Sequence, residues 1–165
     1  MSAGGGMSAG GGMSAGGGMS AGSLAHRFSA ALAARDAAAL RSLLASEVDF
    51  RGLTPGRLWE ASSSDALIDE VILGTWFEPD DVIERIESVQ YGQVGTRTRV
   101  GYRLRVRNAA GTFTVEQQAF CDLAGGRITW LRLLCSGFVP VTQTGLRAAA
   151  IAAGDRHAHL EGAQS

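Results

Sequence analysis

Lysine is missing altogether: the 15 basic residues of this 165-residue chain are all arginine, and 16 acidic residues bring the net charge to −1. No basic excess is left to hold a phosphate backbone, so nucleic acid is excluded as the expected partner. Long apolar runs are missing too. Nothing approaches the ~18 consecutive apolar residues of a membrane span, and the start has neither the basic residues nor the apolar stretch of a secretory signal, so the expected location is the cytoplasm. The only two cysteines, Cys121 and Cys135, have neither metal-ligand spacing nor the framework of a secreted domain, and are expected as buried free thiols. Histidine is equally scarce. His26 stands alone opposite Phe28 on a helical pattern, and His157 and His159 lack the third ligand that zinc requires, so neither a metal nor a cofactor is expected. Arginine without lysine, with abundant alanine and glycine, points to a GC-rich bacterial coding genome.

Residues 1–22 read MSAGGG three times and then MSAG. Glycine and serine lose much backbone freedom on ordering and bury little in return, so this stretch is expected to be a disordered arm. The segment 24–140 has the ~100–150 residues of a single domain, and 141–165 reads as a mostly flexible tail. From Leu24 to Ala45, apolar residues recur at steps of three and four, with a break at Arg35-Asp36, which predicts two amphipathic helices. Thr54-Pro55-Gly56 is a turn between two short strands at 48–51 and 58–60. A third helix follows, with Ser62 and Asp65 as a capping box and Gly74 as its stop. After Pro79 the period changes to two, predicting strands at 82–91, 97–107, 112–123 and 127–139 joined by tight turns.

This order, with LLASEVDFRG leaving the second helix and a meander ending in GRITWLRLLCSGF, resembles the nuclear transport factor 2-like superfamily and, within it, the SnoaL-like group. The resemblance covers about residues 24–140. It implies an α+β fold, a cone-shaped curved antiparallel sheet of about six strands packed against N-terminal helices, with a pocket between them. Members include ketosteroid isomerases, polyketide cyclases, dehydratases and non-catalytic binding or dimerisation modules, so fold alone does not choose an activity.

Pairing 107 with 112 and 124 with 127 across the last two turns fixes which residues share a face. The inner, mostly apolar face then holds Tyr102, Gln117, Trp130 and Arg132 as the expected ligand-binding group. The outer face pairs Arg103 with Glu116, and its apolar end, Phe120 with Leu131, Leu133 and Cys135, is the expected surface of a homodimer. An inward arginine needs an anionic partner: Glu87, an anionic group of a ligand, or solvent at the cone's mouth. The base that the resemblance would place at the end of the first strand is absent, because Phe50-Arg51-Gly52 stands there. Glu87, Tyr102 and Arg132 remain the catalytic candidates, with Glu87 as base and the other two polarising a carbonyl. Trp59, Trp76, Phe77 and Trp130 offer wall area for a ring-bearing ligand or serve as plain core. Three readings stand open: a binder of a small, partly apolar molecule with Arg132 as the place for an anionic group, a non-catalytic interaction module with a filled cone, and an acid–base enzyme.

Overall fold

A computed structural model describes residues 18–142. The expectations for residues 1–17, for the tail from 143 onward and for His157 and His159 lie outside the described residues. Helix α1 (Ala21–Ala33) begins inside the repeat rather than after it. The Ser20 hydroxyl accepts a hydrogen bond from the Ser23 backbone N–H and caps the helix, while Met19 packs against the core. The break falls where Arg35-Asp36 predicts it. Arg35 adopts φ +54°, and its guanidinium donates to the carbonyls of Glu78, at 2.9 Å, and Leu73. Asp36 then caps α2 (Ala37–Leu43) through the Ala39 N–H.

β1 (Leu44–Thr54) and β2 (Arg57–Ser63) form the expected hairpin, longer than predicted, around Gly56 at φ +78°. Helix α3 (Ala66–Trp76) departs from expectation at both ends. Ser63, not Ser62, accepts the Ala66 N–H, and Asp65 receives Arg41 instead of capping. Gly74 lies inside the helix. Its turns are wide, with the Phe77 N–H donating to Ile72 O and the Thr75 hydroxyl to Glu70 O, both five residues back. A Cβ at Gly74 would stand 2.2 Å from Asp69 O, so the wide turn needs glycine there.

Four strands then form the meander: β3 (Val82–Val94), β4 (Arg97–Asn108), β5 (Gly111–Ala124) and β6 (Arg127–Cys135). The last predicted strand divides, because β6 stops at Cys135 and a short β7 (Val139–Pro140) pairs with β5. The sheet order is β2-β1-β6-β5-β4-β3. One junction corrects the all-antiparallel expectation: β1 runs parallel to β6. Alternation within a strand sets its faces and is silent about the direction of a partner some eighty residues away in sequence. The helices cover one face of this curved mixed sheet, which gives the expected α+β cone. Their stripes, Leu24, Phe28 and Leu32 from α1, Leu40 and Leu43 from α2, Leu67, Ile68 and Ile72 from α3, meet Phe50, Leu104, Val106 and Val115 of the sheet, all buried.

Because Ser20 supplies the cap of a helix that covers the sheet, Ser20→Ala should cost about 1 kcal/mol, read as a lower urea midpoint at unchanged slope. An unchanged midpoint would show that the cap contributes nothing to the fold.

Candidate functional site

The β4–β5 register is as predicted along its whole length, from Thr98↔Cys121 to Asn108↔Gly111. Tyr102 and Gln117 are cross-strand partners on the inner face, 2% and 1% exposed. The Tyr102 hydroxyl donates to Gln117 Oε1 at 2.5 Å, and Gln117 Nε2 donates to Cys135 Sγ at 3.3 Å. Burial, and then the neighbouring Cys135, pushes the Tyr102 phenol well above its ordinary range. It therefore stays protonated and serves as a donor.

The β5–β6 register starts as predicted, Ala124 with Arg127 and Leu123 with Ile128, and then slips: Asp122 pairs with Trp130, leaving Thr129 as an extra residue. This is a β-bulge, and every side chain beyond it changes face. Leu131, Leu133 and Cys135, expected outside as a dimer surface, are buried in the core. Trp130 and Arg132, expected inside with Tyr102 and Gln117, lie on the outer face. There Arg132 donates to the Asp49 carbonyl and carboxylate, both at 2.8 Å, and stacks 4.4 Å from the Trp130 ring centroid, which Arg97 also covers. The Arg132 guanidinium holds the exposed Asp49 carboxyl below its usual range.

Glu87 also lies outside. Bulges at Glu84 and Glu87 displace β3 twice, so its partly buried inner residues fall at Ile83, Ile86 and Val89. Glu87 binds Arg105, at 2.5 Å, and Arg85. It contacts neither Tyr102 nor Arg132, so the proposed base and its polarising groups are not brought together. Arg103 meets Glu116 at 2.7 Å as expected, and that contact holds the Glu116 carboxyl below its ordinary value.

Both cysteines are free and buried, now on the same face but four rows apart, or ~14 Å along the strands, too far for a bridge. Cys121 donates to Thr98 O, and burial pushes its thiol up to about 11. His26 is exposed, with its ring against Tyr91.

The interior divides into two zones. Beneath α1, between Leu24, Phe28, Tyr102, Cys121 and Leu131, only about 10 Å3 is free, room for no more than a single water. Beyond Gln117, where the end of α3 faces the β1–β2 hairpin, a cavity of about 220 Å3 opens, walled by Trp59, Trp76, Phe77 and Phe138 with Gln117 and Cys135 among its polar groups. Trp76 and Phe77 form a buried elbow, 7% and 1% exposed. The Trp76 ring lies so close to β1 that a Cβ at Gly52 would come within 2.7 Å of it. Trp59 Nε1 donates to Thr54 Oγ1, whereas Trp76 Nε1 is buried without a partner. Leaving such a donor unmet costs about 1–3 kcal/mol.

Among the described residues, no carboxylate or imidazole lines this cavity, no group of three or more His, Cys, Asp or Glu is placed to hold a metal, and no helix is long and apolar enough to cross a membrane. No protein-family model and no curated protein matches the chain. Solved structures do. A protein from Bacillus subtilis, provisionally named an isomerase, superposes with a TM-score of 0.56 at 10% identity, over 72% of this chain and 90% of that one. A Burkholderia xenovorans LB400 protein described as NTF2-like gives 0.52 at 18%, over 72% and 93%.

The chain has the nuclear transport factor 2-like fold. A Mycobacterium tuberculosis LEH-like epoxide hydrolase shares this fold, with a TM-score of 0.52 at 14% identity over 70% of this chain and 82% of that one. At such identities the likeness extends to the NTF2-like fold alone.

Trp59, Trp76 and Phe77 line the cavity as the sequence suggests, whereas Cys135, which the turn-based register puts outside, joins them through the bulge. The buried polar chain gives a direct test. Gln117→Leu strands the Tyr102 hydroxyl and should lower stability by about 1–3 kcal/mol, and adding Tyr102→Phe should recover part of that loss in a denaturation double-mutant cycle. Strict additivity would mean that the two side chains are not coupled.

Proposed function

We propose that the chain binds a small, neutral, mostly apolar molecule carrying a hydrogen-bond acceptor such as a carbonyl oxygen, in the 220 Å3 cavity at the end of α3. The supporting observation is the aromatic wall itself, to which Trp76 belongs; its Nε1–H is covered and unpartnered, and a small turn of the ring would present it to the cavity. A ligand oxygen meeting it would turn a standing cost into a bond, and the surrounding rings would supply apolar contact. Arg132, the reason to expect an anionic group, is held on the other face by Asp49, so the ligand's neutrality follows from the wall that is there. Binding rather than acid–base chemistry is favoured because proton transfer requires a positioned titratable group, and the described wall supplies no carboxylate or imidazole. Trp76→Phe keeps most of the ring and removes the donor. Cyclic ketones should change tryptophan fluorescence and raise the melting temperature, with affinity falling about tenfold in Trp76→Phe, the worth of one hydrogen bond. If ketones, lactones and esters all leave both signals unmoved, the cavity is not a binding site for this class.

The homodimer expectation moves with the bulge. Exposed Leu58, Leu53 and Leu134 form a row across β2, β1 and β6, with Phe120 beside it on β5. Arg51–Glu60 and Arg132–Asp49 ion pairs flank the row and provide both signs of charge. That row suits a second copy related by a two-fold axis. Light scattering should find a dimer for the wild type and a folded monomer for Leu134→Glu. Leu133→Glu, which buries a carboxylate in the core, should unfold the chain instead; a monomeric wild type overturns this reading.

A further inference from the structure

Thr75 and Trp76, which end α3, and Phe77, which follows it, all line the cavity, so the way this helix end is held decides the shape of the wall. An ordinary α-turn would pair the Phe77 N–H with the Leu73 carbonyl, four residues back. Instead it donates to Ile72 O at 2.9 Å. Continuing the wide ladder would offer Leu73 O the Glu78 N–H, but that group donates to the Asp81 carboxylate at 2.9 Å. Leu73 O therefore receives neither helical donor. The Arg35 guanidinium meets it from outside the cavity, Nη2 reaching Leu73 O at 3.3 Å while Nη1 holds Glu78 O at 2.9 Å. Arg35 does so from the break between α1 and α2, where its φ of +54° is an uncommon conformation for a residue with a side chain.

We propose that Arg35 is the positioning residue of the cavity, holding α3 in the wide form that sets Trp76 and Phe77 in the wall. An unmet Leu73 carbonyl would reward tightening of the last turn, because the Phe77 N–H could then satisfy it. Arg35 satisfies it already, and the reward is gone. Gly74 permits the wide turn, since a Cβ there would stand 2.2 Å from Asp69 O, but a glycine accepts an α-turn as well and so does not select between them. Tightening by one residue would rotate the helix end by about 100° and carry both rings off the wall. The far side of the elbow is fixed separately: Asp81, buried, binds the Glu78 N–H and is itself held by Asn108 Nδ2 of β4 at 2.8 Å. The consequence for ligands rests on the reading of this cavity as a binding site; the hold on α3 does not.

The test uses the full chain as Arg35→Gly, which removes the guanidinium and relieves the left-handed backbone, and as Arg35→Asn, a residue type that also tolerates that conformation but is too short to reach α3. NMR couplings across hydrogen bonds identify the carbonyl carbon paired with the Phe77 amide, and titration with cyclohexanone reads the cavity. The coupling should run to Ile72 in the wild type and to Leu73 in both variants. Cyclohexanone affinity should fall about tenfold, as it does when about one molecule in ten keeps the wide form. Gly74→Ala, which excludes the wide turn directly, should give the same coupling and the same loss. A Phe77 amide that stays on Ile72 without the guanidinium, or one that moves to Leu73 with ketone affinity unchanged, overturns the assignment; should Arg35→Gly fail to fold, Arg35→Asn decides alone. If the coupling moves but cyclohexanone binds not even the wild type, Arg35 stands as the latch of α3 and the binding reading of the cavity falls.

Discussion

One unpaired residue decides which side of the last long strand belongs to the core. Without the bulge at Thr129, the tight turn at Gly125-Gly126 would send Trp130, Arg132 and Leu134 inward and put Leu131, Leu133 and Cys135 in water. Burying a leucine is worth about 1.5–3 kcal/mol, and an unpaired arginine inside would cost several more, so the slipped register wins by a wide margin. The bulge also brings Phe50 and Gly52 of β1 level with Leu131 and Leu133 of β6. The parallel junction that completes the sheet therefore depends on the same slip.

With the pleat set, the inner face carries a short polar chain through an otherwise apolar interior. Tyr102, Gln117 and Cys135 satisfy one another in sequence, and they mark the boundary between the packed zone under α1 and the open zone under α3. Large rings keep the open zone from collapsing: Trp76 meets Phe50 and Trp59 edge to face, and Phe138 bridges Phe77 and Phe113. Such contacts leave room where flexible aliphatic chains would fill it. Gly52 contributes by having no side chain beneath the Trp76 ring.

Element order and the faces of β4 and β5 were legible because alternation and turn chemistry agreed there. In β6 the two disagree, and the turn points to the wrong face. Its own pattern carried the answer, since Leu131, Leu133 and Cys135 form an unbroken apolar set while Arg132 interrupts the other, and Ile128 to Leu131 is a step of three. β3 shows the same signature twice, in Ile83, Ile86 and Val89. A step of three inside a period-two strand is what a bulge leaves in a sequence. The cavity was only half legible. Its aromatic residues could be named, but whether rings enclose space or fill it depends on angles that composition does not encode.

The two sheet edges explain why the outer face has such uneven chemistry. β3 is an edge strand, and an edge invites pairing with another chain unless it is blunted. Its bulged residues Glu84 and Glu87 hold Arg107 and Arg105, so irregular backbone and charge protect it together. The Glu84–Arg107 pair is largely exposed and contributes at most about 1 kcal/mol, so its value lies in refusing partners more than in stability, while Glu87–Arg105 is mostly buried against the strand. At the β2 side the same face carries a row of leucines beside the Arg51–Glu60 and Arg132–Asp49 pairs. The outer face thus divides into a β3–β4 half crossed by arginine–glutamate pairs and a β2–β1–β6 half in which two ion pairs frame an apolar row.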